Sequence, residues 1–291
     1  MDTPYGACAM STAIERMYRS EWAGGWTCAR LLFVFALAHG HLPRIAGVGD
    51  AFGAPDMVFN NSLSSINEYI FITPQLAYGF WGIGSLGLVL MLLGGRSFRA
   101  GLGLWLIGGW LLLLSEGLNI KAHDRLGLLM VIPFFCAPLN ETHLTQKYRS
   151  PIGRYFMLLI FGVIYFETGL MKLMYESSWM GSGDVLAYHL VHPFHGNTTL
   201  GAFLSGQPLL IAPMAWFTLA FELGFPLLVL YRKTNPWILG AGVLFHLTLL
   251  VLMDVGSFGY MSLAAYPVLL HPESARTLWE RIKTVTRTLR P

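Results

Sequence analysis

Residues 152–174 read IGRYFMLLIFGVIYFETGLMKLM. This run decides the fold. A surface helix of a soluble domain carries an apolar stripe and a charged opposite face. Here the only charged residues are Arg154 near one end and Glu167 and Lys172 toward the other. A helix rising about 1.5 Å per residue over this stretch is long enough to cross a hydrocarbon core of ~30 Å.

The same pattern recurs on both sides of it. Apolar runs at 27–43, 73–94, 100–116, 126–139, 208–231, 236–253 and 257–270 complete a set of eight. The expected fold class is all-α, an integral membrane bundle of about eight transmembrane helices. Composition agrees: 54% of the 291 residues are hydrophobic, only 12% are charged, and the mean hydropathy is +0.54. A soluble domain carries about twice that charge. A formal net charge of +3 is too small to indicate a nucleic-acid partner. Cys8, Cys28 and Cys136 have neither a metal-like spacing nor the pairing of a disulfide scaffold.

The chain divides into a segment 1–26, expected to be cytoplasmic, a membrane bundle over 27–270, and a basic amphipathic tail 271–291 suited to an anionic cytoplasmic lipid surface. Glu15, Arg16, Arg19 and Glu21 precede the first apolar run, so that run reads as a retained helix rather than a cleaved signal. The fourth run is the shortest and contains Pro133, which leaves a re-entrant segment as the alternative to a span. Charge favours the span. If it crosses, one side collects fifteen of the 19 Lys and Arg residues, and Arg44, Lys121, Arg125 and Lys172 fall on the other. The positive-inside rule then places both termini in the cytoplasm. Trp26, Trp81, Trp179 and Trp237 lie near span ends, as interfacial anchors do. The stretch Asp184–His192 reads as a short helix outside the membrane.

Ionisable groups inside a membrane are expensive, so they are the first candidates for function. Lys172 follows Gly169, Leu170 and Met171 on an apolar helix. An ammonium there is disfavoured, and a neutral amine is a usable general base. The competing reading is a lysine whose stem lies in the bilayer while its head reaches the interface beside Trp179. His246 sits within Phe245-His246-Leu247, where a structural hydrogen-bonding role competes with a chemical one. His123 precedes Asp124, which can orient its ring. Glu167 and Glu222 can pair with Lys172 or a histidine across the bundle. His189, His192 and His195 are interrupted by Pro193, and no metal site is expected from them. No phosphate loop, dinucleotide fingerprint or nucleophile elbow is present.

Two stretches carry a family resemblance. One is Tyr165-Phe166-Glu167-Thr168-Gly169-Leu170-Met171-Lys172-Leu173, followed by Trp179-Met180-Gly181. The other is Phe245-His246, followed by Val255-Gly256-Ser257-Phe258-Gly259-Tyr260-Met261 and Leu263-Ala264. Ala122-His123 and Phe221-Glu222-Leu223 add lesser matches. Together they resemble the vitamin K-dependent gamma-carboxylases and their bacterial relatives, the horizontally transferred transmembrane (HTTM) domain proteins, over roughly 120–275. The resemblance implies a membrane enzyme. A lysine deprotonates a reduced quinone of the vitamin K or menaquinone type, and reaction with dioxygen generates a strong base. That base removes a proton from a carbon acid, which takes up carbon dioxide. By that resemblance Lys172 stands at the catalytic lysine, His123 at a histidine linked to the carbanion step, and His246 at a family histidine in the bundle. Glu167, Glu222, Trp179 and Phe258 are the expected cofactor-binding residues.

Three departures bear on this. Met171 stands where the carboxylase has a second lysine. Glu167 replaces an apolar residue. The sequence ends soon after the eighth run, where the carboxylase has a large lumenal domain. Quinol oxidation is therefore implied more directly than carboxylation of a protein glutamate, and a peptide, lipid or small molecule is left as the substrate. A non-catalytic quinone-binding or lipid-binding accessory protein of the same fold is the second reading. An ion relay through Glu167, Glu222 and Asp254 is weaker, because no paired broken helices are evident. The expected location is a bacterial inner membrane, with the site toward its non-cytoplasmic side.

Overall fold

The computed structural model describes residues 24–48, 73–110, 122–137, 152–175, 177–196 and 198–271, with parts of 273–284. Residues 1–23, most of the basic tail, and the ends of the third and fourth runs at 111–116 and 138–139 lie outside the described residues. Ten helices organise the remainder: α1 Gly24–His41, α2 Pro74–Leu93, α3 Gly95–Trp105, α4 Ala122–Phe135, α5 Ile152–Tyr175, α6 Asp184–Val191, α7 Thr199–Ser205, α8 Pro208–Leu228, α9 Asn235–Leu252 and α10 Phe258–Leu269. Five are long and apolar enough to span a membrane: α1, which continues to Val48, together with α2, α5, α8 and α9. The other three apolar runs form shorter helices. These are α3, which loosens into a π-helical turn at Leu106–Trp110, α4 and α10.

The shortness of α10 has a packing reason. It contacts α1, α4, α5 and α9 and buries Gly259, Met261, Ser262, Ala264, Ala265, Tyr266, Val268 and Leu269. It is a central post enclosed by protein, so lipid does not set its length. Asn235 fastens its far end. This fully buried amide donates to the Val229 and Leu269 carbonyls at 2.7 and 3.0 Å and accepts from the His271 N–H at 2.8 Å. The ends of α8 and α10 are thereby tied to the start of α9. Without water, backbone groups must be satisfied within the protein.

Basic side chains cap helix ends at the same pole. Arg30 donates to the last carbonyls of α2. Arg99 donates to the carbonyls of Phe135, the last residue of α4, and of Ala137 just beyond it, and Arg154 to Val268 and Leu269 at the end of α10. Guanidinium groups there meet both unpaired carbonyls and the negative end of the helix dipole. At the opposite pole, Arg44 binds Asp124 in the first turn of α4. Among the described residues α4 is one continuous helix, Pro133 included, with Asp124 of its first turn held by Arg44 and the carbonyls at its end by Arg99. Outward side chains are apolar: Leu159 is 61% exposed and Trp237 80%. Such a surface suits lipid rather than water.

Candidate functional site: a cavity beside a buried ion pair

Lys172 and Glu222 meet from α5 and α8. The Lys172 Nζ lies 2.5 and 2.7 Å from the two carboxylate oxygens. Gly169, one turn earlier on α5, permits this approach. A Cβ at that position would lie 3.0 Å from the Glu222 Cβ and 3.1 Å from Leu223. Glu222 is 5% exposed, and the Lys172 side chain 22%. Desolvating two charges is unfavourable unless each has a partner, and here each is the other's partner. The Trp179 indole sits 5.1 Å from the ammonium, in cation–π range. The notion of an isolated lysine reaching for the interface is thus replaced by a half-buried, paired one.

The pair faces a cavity of about 290 Å³ bounded by α5, α6, α8, α9 and the turn after α9. Trp179, Phe245 and Phe258 supply aromatic walls. Tyr165, Thr168, Thr218, His189 and His195 supply polar groups. A second cavity of about 290 Å³ shares Leu186, Thr218, Phe245, Leu249 and Met253 with the first. Its remaining lining is almost wholly apolar, and Phe217 and Leu244 carry it to the lipid-facing surface of α8 and α9. A polar chamber thus adjoins an apolar annex.

The family model for the HTTM domain matches residues 25–273. The chain belongs to the HTTM-domain family. No curated protein and no solved structure matches it. Every candidate site residue named from the sequence lies within the HTTM region.

Within that HTTM bundle the singled-out residues part company. Lys172, Glu222, Trp179 and Phe258 line one cavity. Glu167 does not: it is exposed and absent from the lining. Five residues of helix rotate a side chain by about 140°, so Glu167 and Lys172 cannot share a face. Tyr165 and Thr168, seven and four residues before Lys172, do share it.

His246 stands just behind the cavity wall. Its Nε2 lies 2.5 Å from the Tyr165 hydroxyl, which lies 2.9 Å from the Tyr266 hydroxyl. All three groups are buried. This Tyr165–His246–Tyr266 triad joins α5, α9 and α10. Its two tyrosines were invisible as a unit from the sequence, where 101 positions separate them.

His123 falls elsewhere. Its Nε2 lies 3.5 Å from Asp124 Oδ1, and Arg44 holds Asp124 at 3.1 and 3.2 Å. The ring packs against Gly256, whose φ of 56° suits glycine. A Cβ there would approach the imidazole to 3.0 Å. Val255 and Phe258 of this turn line the Lys172 cavity, while His123 does not. The nearby void beside Arg44 and Asp124 is only about 10 Å³, the size of one water molecule.

His189 of α6 and His195 of the following loop do reach the main cavity, while His192 does not line it. His192, Pro193 and Phe194 turn the chain so that the Gly196 N–H donates to the His192 carbonyl at 2.7 Å. This brings His195 Nε2 to 2.9 Å from His189 Nδ1. Among the described residues no group of three His, Cys, Asp or Glu side chains is arranged to hold a metal.

Proposed function

We propose that this protein binds a reduced quinone from the bilayer and deprotonates it at the Lys172–Glu222 pair, as the first step of quinol oxidation by dioxygen. The observation that carries this reading is a half-buried ammonium paired with a buried carboxylate at the head of an amphipathic cavity whose apolar annex opens to lipid. Each part fits the substrate. Aromatic walls suit a flat ring. The annex suits an apolar chain. Together the two chambers fall within the usual size of small-molecule sites, about 300–1,000 Å³.

The pair works as a unit. Glu222 accepts the hydroxyl proton, and the Lys172 ammonium holds the oxyanion left behind. Before the reaction the two charges cancel, and afterward the ammonium is paired with the new anion, so no unpaired charge is left in a low-dielectric space. Trp179, Phe245 and Phe258 exclude water and orient the ring. Dioxygen as oxidant, and carbon dioxide as a later co-substrate, come from the resemblance to the carboxylases. The location of His123 supports proton abstraction at the pair more directly than the carboxylation step, because that histidine does not line the cavity. With a bacterial inner membrane as the location, the positive-inside rule favours a cytoplasmic basic pole and, with it, a cavity toward the non-cytoplasmic side.

The test is turnover of menadiol and a longer-chain menaquinol by the protein in nanodiscs, with dioxygen and bicarbonate, followed by mass spectrometry. Wild type is expected to form oxidised or epoxidised product, and Lys172→Ala to lose at least about 100-fold in rate. Quinol bound with no product from either protein would favour the second reading, a quinone-binding accessory protein, for which the apolar annex alone suffices.

A further inference from the structure

A base that takes a proton from each substrate molecule must return that proton to water before it can act again. Glu222 is buried, Lys172 is half-buried beside it, and the annex next to them leads to lipid, which offers a proton no route. Among the described residues, the other titratable side chains lining the chamber are Tyr165, His189 and His195. The Tyr165 hydroxyl is held by His246 and Tyr266, away from solvent. The two histidines are different. They are joined by a hydrogen bond of 2.9 Å, both are half-buried, and His195 lies in the loop on the protein's outer pole.

We propose that His189 and His195 form the proton exit of the cavity, relaying to water the proton that Glu222 accepts. This inference rests on the quinol reading above and adds a route to it.

The chemistry follows from the two nitrogens of imidazole. A proton arriving at His189 Nε2 forms one N–H bond there. The Nδ1–H proton of the same ring passes to His195 Nε2 across the existing hydrogen bond. His195 Nδ1–H then gives its proton to water. One N–H bond forms and one breaks on each ring, no electrons move between molecules, and the relay ends in the opposite tautomer, which rotation or back-exchange resets. A cavity water or the ligand hydroxyl carries the proton from the Glu222 carboxyl to His189.

The surroundings favour release over retention. Burial first, and then the neighbouring His189 and His192, hold the His195 imidazole below its usual value. His192 stacks on His195 with ring centroids 4.3 Å apart, and Tyr188 lies beside His189 and His192. Across the chamber stand Lys172 and Glu222, whose charges offset one another. No other charged group lines the cavity among the described residues. The Trp179 ring lies beside His189, centroids 6.3 Å apart. The loop is fixed by Thr198, whose hydroxyl donates to the Leu252 carbonyl at 2.8 Å.

The experiment is stopped-flow mixing of full-length protein in nanodiscs with menadiol under anaerobic conditions. A pH-indicator dye reports proton release, and ultraviolet absorbance reports quinolate formation. His189→Phe and His195→Phe are each expected to slow proton release at saturating menadiol about tenfold or more, and added imidazole should restore the rate. Restoration by a diffusible base is a signature that a purely structural role does not produce. His195→Gln serves as the milder variant should the phenylalanine forms fail to fold. Proton release at the wild-type rate in folded variants, or slow release that imidazole does not rescue, would overturn the exit alone. Wild type that binds menadiol without forming quinolate would overturn the quinol reading and the relay with it.

Discussion

Two ion pairs stand at the same pole of this bundle, and they differ in what lies beside them. Lys172–Glu222 borders about 290 Å³ of open space. Arg44–Asp124, with His123 attached, borders about 10 Å³. The cations also differ. Arg44 is a planar, permanently charged fork that spans both Asp124 oxygens and the Gly40 carbonyl at 2.7 Å. Lys172 is a compact point charge on a flexible stem, able to turn from Glu222 to a ligand oxygen. One pair is built to hold the start of α4 against the end of α1. The other has the room and the chemistry to meet a ligand. A buried charge is therefore not evidence of function until the space it faces is known.

The largest expected effect separates the two pairs by activity. Lys172→Ala and Glu222→Gln should each reduce quinol turnover by at least about 100-fold. His123→Ala should leave it within about threefold, because His123 does not line the cavity. A large loss in His123→Ala, measured as initial turnover in protein of unchanged thermal midpoint, would remove the distinction. Stability gives the reverse order. Arg44→Met takes the guanidinium from the buried Asp124 carboxylate, and breaking a buried pair in this way costs about 3–5 kcal/mol. Lys172→Met should cost less, because Glu222 can neutralise by taking a proton from the cavity side. Denaturant midpoints in lipid nanodiscs test this order.

Smaller effects sharpen the picture of the cavity. Tyr165→Phe and His246→Leu each leave polar groups in the buried triad unpaired and should lower stability by about 1–3 kcal/mol, readable in the same unfolding assay. Thr248→Trp narrows the apolar annex. It should raise KM for a long-chain menaquinol about tenfold and leave menadiol nearly unaffected, because the chain and not the ring occupies that space. Equal effects on both substrates would place the chain elsewhere.

The smallest effect concerns pH. The His195 imidazole is held below its ordinary value of 6.5. A histidine of this kind favours the folded state fully above that value. The contribution is lost as pH falls toward the lowered one, because the unfolded chain then binds the extra proton. His195→Gln should therefore flatten the decline in thermal midpoint below about pH 6.5 and leave neutral pH unchanged.

Much of this was legible in the sequence, for physical reasons. Apolar length alone gave α2, α5, α8 and α9 within a few residues. It did not anticipate that α10 would be a central post set by neighbours, or that the third run would loosen at Leu106–Trp110, because both depend on packing. Lys172 and Glu222 stood out as charges in apolar runs, yet their union across 50 positions was only one of several pairings open to them. Glu167 could have been set aside by helical rotation from Lys172. The meeting of His189 with His195 depends on a loop turn, and the Tyr165–His246–Tyr266 triad on three helices converging. Neither leaves a periodic trace in the chain.

The central claim is that the Lys172–Glu222 pair takes a proton from a quinol bound in the cavity. Its most direct test is the ultraviolet spectrum of menadiol bound anaerobically to wild type, Glu222→Gln and Lys172→Ala at neutral pH. The account predicts a quinolate band with wild type that both substitutions abolish while menadiol still binds. A quinolate band that persists in both variants, or bound menadiol that stays protonated on wild type, would contradict it.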